Sequence, residues 1–476
     1  MAEQYDLVVI GAGPGGYTAA IKAAQMGLKT VIVEKNRLGG TCVNQGCIPT
    51  KSLLYASNLF RMMQNSDEFG VSAEGIAFDF NKMQHYKRES VRRYRDGIEE
   101  KFQELGLKLV SGRATLRRDR TVEVELNEGG REYYQGANVI IAIGAKPIKN
   151  SIPGIDLKGV WDSDRLLAAE NWNFDRLVIM GGGVISVEMA TIFNNLCSRV
   201  TIVEKQRHLM APMDEVMAKQ LERGLREQGI EVYCGATVTE IQEEGNSLCC
   251  TVTPEEEGEP FQIHGCQVLS AIGRRPDLSG LCGPDVILET KNGKISVSKD
   301  FETNIPGVYA IGDVAAKIQL AHVAAAQATY VVERIAGKPQ SVKLEVVPSG
   351  MFVSLPIVPS CIYTNPEIAT VGITEATAKA NGLKVRCGHC SMRDNGQSII
   401  SGEKHGFIRL VFEAYSNGII GAQLMCPRAT DMIGEIATAI ANGLTAEQMS
   451  FAMRAQPTYN EGIGAAIEDA MRSEPQ

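Results

Sequence analysis

The 476-residue chain predicts an α/β protein: two βαβ units with glycine-rich turns, followed by an α+β region. Three observations carry that fold class. The apolar run Leu7-Val8-Val9-Ile10 leads directly into Gly11-Ala12-Gly13-Pro14-Gly15-Gly16, and Leu177-Val178-Ile179-Met180 leads into Gly181-Gly182-Gly183-Val184-Ile185-Ser186. Beyond about residue 346 the pattern changes: Ile357 to Glu367 opens a stretch of alternating strands, and from Thr430 the periodicity is helical.

In the first unit a strand at Leu7 to Ile10 is followed by a glycine turn, a helix through about Met26 and a second strand from Lys29 to Glu34. A lone GxGxxG is weak evidence. Here it follows a strand, opens a helix and is answered by an acid eighteen residues after Gly16, the context of a Rossmann-like dinucleotide fingerprint. Gly11 permits the turn, Gly13 lets a pyrophosphate approach the backbone, Gly16 lets helix pack on strand, and Glu34 can accept from a ribose 2′-OH.

Just downstream lies Gly39-Gly40-Thr41-Cys42-Val43-Asn44-Gln45-Gly46-Cys47-Ile48-Pro49-Thr50-Lys51. Two cysteines at this spacing could be an ordinary structural disulfide, half of a metal site or unrelated core residues. Their place beside the fingerprint favours a disulfide that exchanges electron pairs with a bound redox cofactor. Glycines and Asn44 let the chain close a small ring, and Pro49 limits bending on the far side.

Further along, Val139 to Pro147 reads as a strand ending in a turn at Gly144, and Leu269 to Pro276 repeats the pattern with Gly273. Between them stands the second fingerprint, with Gly181 and Gly183 in the first two glycine positions and Ser186 in the third. Its second strand, Val200 to Glu204, ends in an acid. A carboxylate there bonds a free 2′-OH and repels a 2′-phosphate, so Glu204 argues for NAD over NADP, while Lys205 and Arg207 pull the other way. Two such units imply two dinucleotides.

At this length a single core is too small a solution, and about three domains are expected. With 48 basic and 56 acidic side chains the net charge is −8, and no basic block stands out, so nucleic acid is not an expected partner. The apolar runs are too short to span a membrane. The first strand begins almost at the initiator Met, leaving no room for a signal peptide, so a cytoplasmic location is expected. The twelve cysteines should then be largely reduced, Cys42 and Cys47 excepted.

Taken in order, these motifs resemble the flavoprotein pyridine nucleotide-disulfide oxidoreductases, and within them the dihydrolipoamide dehydrogenase-like branch. The resemblance spans essentially the whole chain. It implies an FAD-binding domain in two parts (1–149 and 275–346) around an NAD-binding domain (150–274), with a dimerisation domain at 347–476. It further implies FAD and NAD as cofactors, with Cys47 next to the flavin and Cys42 facing a small dithiol or disulfide substrate. Lys51 and Glu188 would form an ion pair near the flavin and nicotinamide, and Asp313, at the end of Val308-Tyr309-Ala310-Ile311-Gly312-Asp313, would bind the ribityl chain. A bland alternative for Asp313 is a helix N-cap. The implied assembly is a homodimer whose active site is shared across the interface, and the partner the resemblance points to is a 2-oxoacid dehydrogenase or glycine cleavage complex.

One position departs from the pattern. Disulfide-reducing members carry His-Pro-x-x-x-Glu near the C-terminus as an acid and base, whereas this chain reads Gln456-Pro457-Thr458-Tyr459-Asn460-Glu461. All six histidines lie elsewhere, the last being His405. Glutamine hydrogen-bonds but takes no proton near neutral pH. This opens a rival function, NADH-dependent reduction of metal ions, quinones or another disulfide, and a second rival, a cofactor-binding complex subunit with little turnover. Cys387-Gly388-His389-Cys390 is a further CxxC, in a strand rather than at a helix start, which is the wrong setting for a redox pair.

Overall fold

The computed structural model describes residues 3–346 and 355–475. Residues 347–354, where the C-terminal domain was expected to begin, lie outside the described residues.

The first unit is a parallel sheet built on β1 (Glu3–Ile10). Its last four residues are all buried, which is the pattern of a strand covered on both faces rather than one. Strand β1 pairs in parallel with β2 (Thr30–Glu34) on one side and with β5 (Arg131–Ile141) on the other, and Val308–Ala310 adds beyond β5. This last pairing returns the chain to the first sheet after the second unit. Strand β3 (Lys108–Leu116) runs parallel to β2, then continues into an antiparallel meander with β4 (Thr121–Leu126) and the start of β5.

Helix α1 (Pro14–Gln25) starts with proline in its first turn, where no intrahelical N–H is needed. Its buried face is Ala19, Ala20 and Ala23, small enough to pack closely against Ala328, Val331 and Val332 of the Ala321–Ile335 helix. The glycines have a steric basis. Gly11 has φ +97°, and a β-carbon there would lie 2.6 Å from the Ala142 carbonyl oxygen. One at Gly16 would lie 1.8 Å from the Gly11 oxygen.

The second unit repeats this plan in a parallel sheet whose order is Glu231–Cys234, Arg199–Glu204, Arg176–Met180, Gln267–Ser270, Val160–Asp162. Gly181 has φ +100°, and its β-carbon would lie 2.6 Å from the Ala271 oxygen, the counterpart of Gly11 against Ala142. Ser186 takes the third glycine position fully buried, and among the described residues its hydroxyl has no hydrogen-bond partner. An antiparallel meander of Ala236–Glu244, Ser247–Pro254 and Phe261–Gly265 packs beside the sheet. The two crossings between units are tied together. Lys146–Pro147 pairs with Arg274–Arg275, Lys146 bonds Asp277 at 2.7 Å, and Arg274 bonds both Asp164 and the Ala145 carbonyl.

The C-terminal region is a five-stranded antiparallel sheet with Ala429–Asn442 and Glu461–Arg472 among the helices packed on it. Its core includes Ile408, Leu410, Leu424, Ile436, Ile463 and Ile467. Cys387 and Cys390 sit three residues apart on the Val385–Ser391 strand, so they point to opposite faces and are free cysteines. Burial raises the pKa of both thiols, that of Cys387 to about 12, which disfavours their thiolate forms. Among the described residues no helix is long and apolar enough to cross a membrane.

Candidate active site

Cys42 lies in the short helix α2 (Gly40–Gln45), Cys47 is the first residue of α3 (Cys47–Gln64), and the two form a disulfide with Cα atoms 4.7 Å apart. Helix α3 thus begins a full turn before Lys51. Pro49 falls inside its first turn, where proline is tolerated, instead of marking the end of a loop. The ring is closed by Gly46, and a β-carbon there would lie 3.0 Å from the Thr41 oxygen. The Asn44 amide donates to the carbonyls of Leu38 and Gly40 at 3.0 and 2.9 Å, which fixes the approach to Cys42.

The redox loop is seated on the fingerprint turn. Gly39 N–H donates to the Ala12 carbonyl at 2.8 Å, and a β-carbon at Gly40 would lie 2.6 Å from the Gly13 Cα. The disulfide is therefore carried by the same loop pair that forms the N-terminus of α1. At that N-terminus Gly13 supplies no side-chain cap, and Gly183 supplies none in the second unit, so each helix leaves its first N–H groups for an anion such as a pyrophosphate. Around Gly183 an added β-carbon would meet nothing within 4 Å.

Each turn is braced by its own acid. Ala12 N–H donates to Glu34 at 2.7 Å and Asn36 N–H donates to its other oxygen at 2.8 Å. Glu204 repeats this, accepting from Gly182 N–H and from Gln206 N–H. A carboxylate has about four lone-pair sites, so both acids keep acceptor capacity for a ribose hydroxyl. The cations that weakened the argument from Glu204 are themselves paired, Lys205 with Glu255 at 3.8 Å and Arg207 with Glu256 at 3.2 Å.

Lys51 and Glu188 meet, although they are far apart in sequence. The Lys51 ammonium donates to both Glu188 oxygens at 2.9 and 2.7 Å, joining α3 to the Val184–Asn195 helix of the second unit. Tyr363 completes the cluster from the C-terminal region. Its N–H donates to Glu188 at 3.2 Å, and its ring lies under the Lys51 ammonium at 4.6 Å. Three regions of the chain thus converge within one turn of helix from Cys47. Cys361 stands in the same field, but burial and Glu367 push its pKa up to about 11, so it remains a neutral thiol.

Asp313 lies in the short helical turn Gly312–Val314, whose cap residue is Ile311, so it is no N-cap. Among the described residues its carboxylate has no hydrogen-bond partner. Burial raises its pKa, while Arg274 and Lys294 draw it down. A half-buried acceptor left free between two cations fits a hydroxyl-rich ligand such as the flavin's ribityl chain. Gly144 (φ +69°) and Gly273 (φ +123°) turn the chain at the two crossings.

Gln456 is exposed, makes no hydrogen bond among the described residues, and precedes a cis peptide bond to Pro457. Glu461, the first residue of the Glu461–Arg472 helix, accepts from Thr458 N–H at 2.9 Å. The loop is further held by Asn395, which donates to the Thr458 carbonyl at 3.0 Å, and by Arg454 on Glu435 at 2.6 Å.

Sequence reasoning missed Tyr363 and Arg274. Arg274 had a signal, because it immediately follows Gly273 at a crossing. Tyr363 had only its place in the segment that opens the C-terminal region.

Residues 5–328 match the pyridine nucleotide-disulphide oxidoreductase family, and residues 358–467 match that family's dimerisation domain. Dihydrolipoyl dehydrogenase of Bacillus subtilis is 34% identical over 98% of this chain and 98% of its own length. The enzyme of the same name from Staphylococcus aureus is 36% identical over 98% and 96%. Among solved structures, LpdA from Mycobacterium tuberculosis superposes with a TM-score of 0.88 at 23% identity, covering 98% of this chain and 99% of that one. A Cu(II) complex of the HOCl-induced flavoprotein disulfide reductase RclA from Escherichia coli does so with 0.84 at 24%, with the same coverage. The chain belongs to the pyridine nucleotide-disulfide oxidoreductase family, the FAD-dependent enzymes that couple NAD(H) to a redox-active disulfide. Within that family it is dihydrolipoamide dehydrogenase-like.

Proposed function

We propose that Cys42 and Cys47 pass electron pairs between a small dithiol or disulfide substrate and NAD(H), with Cys42 as the interchange thiol and Cys47 on the flavin side. The observation that carries this is the seating of the disulfide loop on the first fingerprint turn, through Gly39 on Ala12 and Gly40 on Gly13. In the oxidising direction a substrate thiolate attacks Cys42, the Cys42–Cys47 bond breaks, and Cys47 leaves as a thiolate. The second substrate thiolate then displaces Cys42, giving the substrate disulfide and two protein thiols. At the first position of α3, Cys47 lies at the positive end of the helix dipole, which favours its anionic form. Bound FAD supplies the two-electron link between this dithiol and the nicotinamide.

Gly11, Gly13 and Gly16 with Glu34, and Asp313 with Gly144, would hold the FAD. Gly181, Gly183 and Glu204, with Gly273 nearby, would hold the NAD. Lys51 and Glu188 would position the flavin and nicotinamide rings. Apolar Phe451 and Met453, 81% and 99% exposed next to Gln456, support a homodimer in which this loop meets the partner's site. Assembly with a 2-oxoacid dehydrogenase or glycine cleavage complex belongs to the same proposal, as does a cytoplasmic location.

Gln456 favours a second reading, NADH-dependent reduction of a substrate that needs no proton from the protein, such as a metal ion or quinone. Steady-state turnover of NADH with lipoamide, other disulfides, Hg(II) and quinones separates the two. Rapid lipoamide turnover supports the first, turnover confined to the others supports the second, and no turnover with any of them leaves the binding-subunit alternative.

With Lys205 and Arg207 each facing an acid of its own, Glu204 should dominate cofactor choice. NADH is expected to exceed NADPH in kcat/KM, and Glu204→Ala to narrow the ratio by about tenfold, equivalent to ~1.4 kcal/mol. Equal use of both by the wild type would defeat this assignment.

Lys51→Met leaves the nearly buried Glu188 with a single N–H donor. Denaturant unfolding of the holoprotein should show a loss of about 1–3 kcal/mol, below the ~3–5 kcal/mol of a fully buried pair because Lys51 keeps 33% of its side chain exposed. Adding Glu188→Gln should recover part of it, and no recovery would mean that the loss lies in packing.

A further inference from the structure

Away from the redox site, the meander of the second unit gathers three groups of metal-ligating type. The ladder sets Cys249 opposite His264 on one side and opposite Gln242 on the other. Side chains alternate along a strand, so Glu244, two residues beyond Gln242, shares the face of Cys249. The neighbouring Cys250 turns the other way and is buried in the apolar core with Ile241 and Val252. Cys249 is only 1% exposed, although it lies on the outward face between two exposed side chains.

The donor atoms of Glu244, Cys249 and His264 all lie within 4.8 Å of one another, and His264 Nδ1 is 3.3 Å from a Glu244 oxygen. Tetrahedral ligands at about 2.0–2.3 Å from an ion lie roughly 3.3–3.8 Å apart, so small side-chain rotations would close this set around one. The set draws on three adjacent strands, so its backbone is fixed by the ladder. Burial and the Glu244 carboxylate raise the thiol pKa, so an ion entering the site must displace its proton.

We propose that Glu244, Cys249 and His264 form a binding site for a borderline-soft divalent transition ion of the Zn(II) type, separate from the redox disulfide. One thiolate, one imidazole and one carboxylate suit such an ion, whereas Mg(II) and Ca(II) prefer oxygen ligands. Binding forms a metal–sulfur bond and releases the Cys249 proton to solvent, with water in the fourth position.

The test uses the air-oxidised holoenzyme, in which Cys42 and Cys47 are held as a disulfide and offer no thiolate. After treatment with a chelator, the protein is titrated with Co(II) and then with Zn(II). One Co(II) per chain is expected to give tetrahedral d–d absorption to the red of the flavin bands, and Zn(II) should displace it. Cys249→Ser and His264→Gln should each weaken binding by about 100-fold or more, exceeding the ~10–100-fold effect of losing a supporting group around a metal site. Cys197→Ser, which changes an exposed cysteine outside the cluster, should bind as wild type does. NADH turnover should be unchanged in all three variants, which shows that they are folded. A Co(II) spectrum of octahedral type, or equal affinity in the wild type and Cys249→Ser, overturns the proposal.

Discussion

Cys47→Ser is expected to bind FAD and NAD(H) normally and to lose disulfide reduction down to background. A serine hydroxyl neither ionises near neutral pH nor undergoes sulfur exchange, so the two-electron store disappears while both fingerprint turns remain intact. The loss should leave a spectroscopic mark. Two-electron reduction of the wild type should produce long-wavelength absorbance from a Cys47 thiolate beside oxidised flavin, and Cys47→Ser should lack it. Cys42→Ser should lose turnover as completely but keep Cys47 as a free thiolate at the positive start of α3, and so show the band without any reductant. The pair of variants therefore separates the flavin-side cysteine from the interchange cysteine. Absorbance that survives Cys47→Ser and vanishes in Cys42→Ser would reverse the two roles, and substantial disulfide turnover by either variant would remove the pair from the mechanism.

The two fingerprints were legible because their chemistry is local. Gly11 and Gly181 are required by backbone atoms at the end of the adjacent strand and Gly16 by the Gly11 carbonyl of its own turn, and the glycine spacing records that requirement directly. The redox loop was legible for a related reason, since glycines, Asn44 and two cysteines lie in one continuous segment. The Lys51–Glu188 pair was not, because 137 positions separate its members and either side chain alone is an ordinary helix charge. Only the family resemblance linked them before the fold brought α3 against the second unit. Tyr363 illustrates the limit further. Its backbone N–H contacts Glu188, which leaves no residue signature, and its ring meets Lys51 across more than 300 positions, which no local pattern records. The start of α3 at Cys47 is hard to read because Gly46 and Pro49 look like loop residues, yet glycine before a helix and proline in its first turn are compatible with a helix start.

Gln456→His is expected to accelerate the disulfide half-reaction by at least an order of magnitude, within the about 10²–10⁴-fold range of general acid–base catalysis. That range corresponds to roughly 3–5 kcal/mol of barrier. Each cycle of dithiol–disulfide exchange must move protons on and off sulfur, and the Gln456 amide can do neither near neutral pH. The local scaffold is ready for an imidazole. Gln456 is exposed, and Glu461 stands in the first turn of the next helix, using one oxygen for Thr458 N–H and leaving the other able to accept from a ring nitrogen. The NADH half-reaction should be nearly unchanged, because it requires no group on this loop. Stopped-flow measurement of each half-reaction tells the two apart. If the wild type already exchanges rapidly with lipoamide and the histidine adds nothing, another group supplies the proton, and Glu461→Gln becomes the decisive variant. If the histidine speeds both half-reactions equally, the loop acts on structure and not on proton transfer.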